Sequence, residues 1–156
     1  MLSGSMAMSL YMVPRSTRDF DFVVNLRPED VDEFVNYFQA DFYCSKEAII
    51  DAIERQSMFN IIDPVSGFKA DFVIRKNNDY RLAEFERRQL VDFGDMQIYA
   101  VSKEDLLISK LIWIQQLQSA IQMEDIKNLS SLPDLQREYV NYWINTLNLK
   151  TFNLVI

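Results

Sequence analysis

Asp19, Phe20, Asp21 and Phe22 alternate polar and apolar positions before the chain turns wholly apolar at Val23 and Val24. A period of two predicts a strand over residues 19–25. Upstream, residues 5–12 (SMAMSLYM) predict a short apolar helix that stops before Pro14, because the residue ahead of a proline is pushed out of the helical region. Downstream, Pro28 followed by Glu29 and Asp30 marks a helix start, and Val31, Phe34, Val35 and Phe38 carry the spacing of a buried helical face. A second helix is expected from Ser45, as N-cap, to about Arg55.

Residues 57–62 (SMFNII) and 68–74 (FKADFVI) flank Asp63, Pro64, Val65, Ser66 and Gly67, which is turn chemistry joining two strands into a hairpin. Residues 79–90 are polar with helical character, 96–101 (MQIYAV) read as a last strand, and everything after Ser102 reads as helix. The order is mixed α/β first and helical at the end. With only three glycines and four prolines, no linker is marked. We therefore expect a single compact unit, with a core over 1–101 and a helical part over 102–156 packed on it.

The longest apolar stretch, 106–114, contains a lysine and falls well short of the roughly 20 residues that cross a bilayer, so no membrane is expected. A lone Cys44 and the lack of a secretory leader pattern predict a reducing, cytoplasmic location. The net charge of -7 speaks against broad, non-specific nucleic-acid binding. Histidine is absent, which removes Ser-His-Asp hydrolases, Cys-His proteases, His-based zinc sites and histidine-dependent ribonucleases. What chemistry remains belongs to carboxylates, lysine, hydroxyls or a bound metal.

Asp19 and Asp21 lie two apart on the predicted strand and so point to one face, with Phe20 and Phe22 on the other. Converging carboxylates repel unless a cation stands between them, and hard oxygen ligands suit Mg²⁺. Two ordinary charges on a solvent-facing strand are the plainer alternative. Asp71 shares its face with Lys69 and Val73, opposite Phe68, Ala70, Phe72 and Ile74. An acid on such a strand needs a metal or a partner, and Lys69 or an arginine elsewhere is the plainer choice.

Gly4-Ser5, thirteen residues, then Asp19-Phe20-Asp21-Phe22 resembles the Gly-Ser and Asp-x-Asp signature of polymerase-beta-like nucleotidyltransferases, with Asp71 as a third acid on a later strand. The wider series SGSMAMSLYMVPRSTRDFDFVV, FNIID, GFKADF, EFERR, SKEDLLISKLIW and MEDI is similar to bacterial nucleotidyltransferase-like proteins related to the toxins of type IV toxin-antitoxin systems. The resemblance implies a small mixed sheet of the nucleotidyltransferase fold with flanking helices. It implies that Asp19, Asp21 and Asp71 are catalytic and hold Mg²⁺ or Mn²⁺, and that Gly4 and Ser5, at a helix start, hold nucleotide phosphate. An NTP such as ATP would be the substrate, RNA or a protein hydroxyl the acceptor, and an antitoxin the cognate partner.

Lys110 falls between Leu106, Trp113 and Leu117 on one side and Leu107, Leu111 and Ile114 on the other. Snorkelling of its ammonium to water and a functional role fit the pattern equally, and the resemblance implies contact with the triphosphate. Glu104 and Asp105 read as an acidic first turn capped by Ser102. The resemblance marks Asp125 as a further acidic site position, on a helix anchored by Met123, Ile126 and Leu129. Arg15, Arg18, Arg87 and Arg88 are candidate phosphate contacts, with surface charge or pairing to acids as alternatives. The aromatics of YVNYWINTLNL fall at helical spacing and read as core.

The sequence departs from the family ahead of Gly4, where only Met1, Leu2 and Ser3 stand in place of a helix and a first strand. A strand lost there would leave a sheet edge beside Asp19, open to a partner chain or a dimer mate. Three readings follow: a metal-dependent nucleotidyltransferase, a catalytically inactive nucleotidyltransferase-like module binding a nucleotide or partner, and an unrelated metal-dependent phosphodiesterase.

Overall fold

A computed structural model describes residues 1–13, 17 and 19–154. The chain forms two compact units, Met1–Ala100 and Val101–Ile156. The architecture is mixed α+β, with the sheet in the first unit and, among the described residues, helices as the regular elements of the second. No helix among the described residues is long and apolar enough to cross a membrane.

The first unit contains strands β1 (Leu2–Ser3), β2 (Asp19–Val24), β3 (Tyr43–Cys44), β4 (Met58–Ile62), β5 (Lys69–Ile74), β6 (Gln89–Phe93) and β7 (Met96–Ala100). Its helices are α1 (Gly4–Met8), α2 (Val31–Phe38), α3 (Lys46–Arg55) and α4 (Asp79–Glu86). The strands form one sheet in the order β3-β4-β5-β2-β1-β7-β6. Sequence period predicts β2, β7 and the β4–β5 hairpin, and all three form. Strands β1, β3 and β6 are additions that the sequence pattern does not predict, and α1 ends sooner than expected, with hydrogen-bonded turns following Met8.

The expected open edge beside Asp19 is corrected by β1, which pairs antiparallel with β2 through Leu2 to Phe22 and Ser3 to Asp21. Strand β2 is thus interior, with β5 on its other side. Two residues suffice for this pairing because the Met1 amine donates to Val23 O at 2.9 Å and Val23 N–H donates to Met1 O at 2.8 Å.

Residues 24 to 69 wind through α2, β3, α3 and β4 before β5 returns parallel to β2. A parallel return needs such a crossover, and it puts α2 and α3 on one face of the sheet. That face carries the core: Val31, Ile49, Ala52, Phe59, Ile61, Phe72 and Ile74. Phe72 lies between Phe59 and Phe22, with ring centroids at 5.2 and 5.5 Å, while Phe34 meets Phe59 and Phe72 edge-on at 87°. Stacked and edge-to-face pairs add to the area these rings bury. Ser45 caps α3 by accepting from Ala48 N–H, as its position predicts.

The second unit contains α5 (Lys103–Ile114), α6 (Ala120–Ser130) and α7 (Arg137–Thr146). Leu106, Leu107, Ile108, Leu111 and Ile114 of α5 are buried, as are Ile126 and Leu129 of α6 and Val140 and Trp143 of α7. Trp113 and Leu117 depart from the expected apolar face, being 61% and 65% exposed. Among the tail aromatics Trp143 is core, whereas Tyr142 is exposed.

Candidate functional site

The parallel pairing of β2 with β5 sets Asp19 opposite Lys69 and Asp21 opposite Asp71. Adjacent strands run about 4.8 Å apart, and residues in register project to the same face. Since Phe22, Ala70 and Phe72 point toward α2 and α3, the four charged side chains share the other face. Asp19 is exposed, Asp21 half-buried and Asp71 only 6% exposed. The alternation read from the sequence therefore places three carboxylates and a lysine on one face of the sheet.

Lys69 Nζ lies 2.8 Å from Asp71 Oδ2. Its hydrogen bond to Asp71 raises the Lys69 pKa above the ordinary lysine value, against desolvation, with further attraction from Asp71, Asp19 and Asp21. Asp71 Oδ1 is buried and has no hydrogen-bond partner. A buried oxygen left in that state is costly, so it marks a place where a donor or a cation would be gained.

Gly4 opens α1 with φ +61°, a conformation that favours glycine. A Cβ built on it would fall 1.9 Å from Asp21 Oδ2. The backbone of the Gly-Ser pair and the second carboxylate of the Asp-x-Asp pair thus touch, although they are well separated along the chain. Ser5 follows within α1, half-buried.

Carboxylate oxygens are the donor type that divalent cations take, and Asp71 Oδ1 is one without a hydrogen-bond partner. As placed, no group of three or more His, Cys, Asp or Glu side chains among the described residues is gathered closely enough to hold a metal ion. The charge beside Asp71 is instead the Lys69 ammonium. A cleft of about 260 Å³ is lined by Phe20, Phe42, Ile61, Asp63, Ser66, Phe68, Lys69 and Ala70, with none of the three acids in its wall.

The second unit joins two further sequence candidates. Lys110 Nζ lies 2.8 Å from Asp125 Oδ2 and 3.0 Å from Gln122 Oε1. Lys110 is 5% and Asp125 3% exposed, so the ammonium does not snorkel: it is held inside by a carboxylate and an amide. Gln122 carries no sequence signal, because a glutamine on a helix is ordinary until its partner is known. Met123 is half-buried while Ile126 and Leu129 are fully so.

Glu104 and Asp105 are more than an acidic first turn, since both are buried. Asp105 accepts from Ser102 Oγ at 2.6 Å and from Tyr139 Oη at 2.8 Å, and Glu104 accepts from Gln136 N–H at 3.1 Å. These bonds tie the start of α5 to α7. Ser102 caps α5 as read, through Asp105 N–H at 3.2 Å.

Arg88 stacks over the rings of Phe85 and Tyr99 at 4.5 and 4.9 Å and donates to Phe85 O, a packing role within the first unit. Arg87 is half-buried after α4. Arg15 and Arg18 lie outside the described residues.

No protein-family model matches the chain, and none of the curated proteins matches it. Among solved structures, the chain is similar to an antigenic nucleotidyltransferase-like protein from Paracoccidioides brasiliensis, with a TM-score of 0.49 and 16% identity over 94% of this chain and 77% of that one. A likeness of that degree bears on neither activity nor ligand.

Proposed function

We propose that the chain is a metal-dependent nucleotidyltransferase that moves a nucleoside monophosphate from an NTP to an RNA or protein acceptor. One observation carries the reading: Asp21 and Asp71 stand in register on adjacent parallel strands, with Gly4 backbone against Asp21 and an unpartnered, buried oxygen on Asp71. Asp19 and Asp21 would hold Mg²⁺ or Mn²⁺, with Asp71 as third ligand. The bound cations would neutralise phosphate charge and lower the cost of deprotonating the acceptor hydroxyl.

The chain's own residues supply position and charge. The sheet fixes the acids on strands, where a carboxylate is aimed more tightly than on a loop. Gly4 leaves room for Asp21 and presents its backbone close to that carboxylate. Asp71, with one oxygen held by Lys69 and the other unpartnered, is the acid best placed to accept a proton from an acceptor hydroxyl. The resemblance to toxin components of toxin-antitoxin systems supplies the finer reading, in which the acceptor is a cellular RNA or protein and an antitoxin is the cognate partner.

A second reading, a nucleotide- or partner-binding module without transfer, is favoured by the Lys69–Asp71 pair, which already satisfies one carboxylate oxygen. Incubation with Mg²⁺ or Mn²⁺, each labelled NTP and total RNA or protein separates the two. The transferase reading expects label on an acceptor, abolished by Asp71→Asn. Nucleotide binding without any transfer selects the module, and metal-dependent cleavage of nucleic acid without addition selects a phosphodiesterase.

A further inference from the structure

Phe85 gathers two arginines within the first unit. The Arg88 guanidinium lies 4.5 Å from the centre of its ring and that of Arg75 5.5 Å, and Arg88 also lies 4.9 Å from the centre of the Tyr99 ring. Arg75 prolongs the pairing of β5 with β2, its backbone N–H donating to Val24 O at 2.8 Å, so the alternation that turns Asp71 and Val73 to one face turns Arg75 the same way. Ala100 is in register with Leu2 and Leu2 with Phe22, which puts Tyr99 on that face as well. The face that carries the acids therefore becomes basic and aromatic beyond Asp71, with Arg75 roughly 13 Å further along the strand at about 3.3 Å per residue.

In a chain of net charge -7, neither of these guanidinium groups has a carboxylate within ion-pair reach among the described residues. The acids around them are engaged elsewhere: Glu84 pairs with Arg81 at 2.8 Å, and Asp92 accepts from Gln97 Nε2 at 3.0 Å. A guanidinium carries five N–H donors. Among the described residues Arg88 commits one, to Phe85 O. Arg75 donates from Nη2 to Asn77 Oδ1 at 3.1 Å and Asn25 Oδ1 at 3.4 Å, while its Nε is buried without an acceptor. A buried donor in that state is costly, and stacking on a ring leaves the in-plane donors of a guanidinium open to a further partner.

We propose that Arg75 and Arg88, gathered by Phe85, form an oxyanion site for a phosphate ester, the chemistry shared by a free nucleotide and a nucleic-acid strand. Two cations held over one ring repel each other, and phosphate oxygens relieve that repulsion while accepting from the unused donors. Tyr99, 50% exposed, adds ring surface beside Arg88 on which a base can stack. The site uses no metal and none of the three acids, so it goes beyond the transfer reading and does not depend on it. The plainer role of the two arginines is packing, as cation–π partners of Phe85 and Tyr99. The two roles separate on ligand affinity, which packing alone does not confer.

Binding to the full chain would be measured in EDTA, by calorimetry for adenosine monophosphate and by fluorescence anisotropy for an end-labelled single-stranded RNA oligonucleotide. The unaltered protein would be compared with Arg75→Gln, Arg88→Gln and Arg55→Gln, the last an equal loss of charge at an exposed position of α3. The proposal expects at least one probe to bind, on the order of tenfold more weakly to Arg75→Gln and to Arg88→Gln, with Arg55→Gln unchanged. Binding of the monophosphate identifies a free nucleotide as the source of the phosphate, and binding of the oligonucleotide alone identifies a strand. Circular dichroism reports the fold, and Arg75→Gln decides if Arg88→Gln does not fold. No binding of either probe, unchanged affinity in the folded variants, or an equal loss in Arg55→Gln overturns the proposal. Because metal is withheld, these outcomes are independent of whether label transfer occurs in the assay above.

Discussion

Gly4 and Asp21 are packed so closely that no side chain fits between them, a Cβ on Gly4 falling 1.9 Å from Asp21 Oδ2 at a φ of +61°. Gly4→Ala therefore carries two costs. The left-handed conformation alone costs an alanine about 1–2 kcal/mol, and the new methyl must also move the carboxylate. Urea denaturation should show Gly4→Ala less stable than the unaltered protein by more than the backbone cost. Adding Asp21→Ala should recover the excess, giving a non-additive double-mutant cycle. Additive losses would mean that the methyl and the carboxylate do not meet.

Phe72 centres the aromatic stack beneath the acids, between Phe59 and Phe22 with Phe34 edge-on. Truncation to alanine removes a buried ring and leaves a cavity its neighbours cannot all fill. Phe72→Ala should cost about 3–5 kcal/mol, read from the denaturant midpoint at unchanged slope. Tyr37, 78% exposed, is the internal comparison, and its alanine variant should stay near the unaltered value.

Lys110 and Asp125 are buried together, so removing either partner strands a charge. Lys110→Met alone and Asp125→Leu alone should each destabilise by about 3–5 kcal/mol, whereas the double substitution should recover most of that loss. The comparison is made by chemical denaturation of the full chain. A double variant as weak as the sum of the singles would show that Gln122 and the other bonds around the pair, and not the ion pair, set the stability.

Asp63 contributes to the acid side of the pH profile, alongside Asp30, Glu47 and Asp134, whose carboxyls are likewise lowered. Ser66 Oγ, then the Val65 backbone N–H, donate to its carboxylate and lower its pKa below the ordinary 3.8. A depressed carboxylate contributes stability that is present above its unfolded value and is lost as pH falls through the folded one. Melting temperature should therefore fall across the window at and below that ordinary value, more steeply for the unaltered protein than for Asp63→Asn. Parallel acid limbs would remove Asp63 from the account of the β4–β5 turn.

The strands that present the acids are legible in the sequence because period two is a local signal: Asp19 and Asp21 against Phe20 and Phe22 need no knowledge of the rest of the chain. The β4–β5 turn is legible from Asp63, Pro64 and Gly67 for the same reason. Strands β1 and β3, of two residues each, are too short to have a period and exist through their neighbours alone. Lys110 is conspicuous on its helix, yet its pairing with Asp125 across the α5–α6 connection is a tertiary fact. Gly4 stands out in the sequence as a phosphate position at a helix start, while its measurable requirement comes from a carboxylate seventeen residues away. Lys69 is the plain partner that the strand pattern offers Asp71, and the pairing holds. Its register opposite Asp19 lies beyond sequence reasoning, because parallel pairing joins strands that are distant along the chain.

Strand β1 joins β2 through two register pairs and β7 through one, Leu2 to Ala100, so the sheet is narrowest there. The β6–β7 hairpin, with Leu90, Met96 and Tyr99 largely exposed, hangs from that seam, whereas β5 is paired along its length with both β2 and β4. Continuous in hydrogen bonding, the seven strands are divided in cooperativity: amide protons of β6 and β7 should exchange with solvent through a local opening that leaves β2 and β5 protected. On that expectation the acids sit in the half of the sheet that opens last.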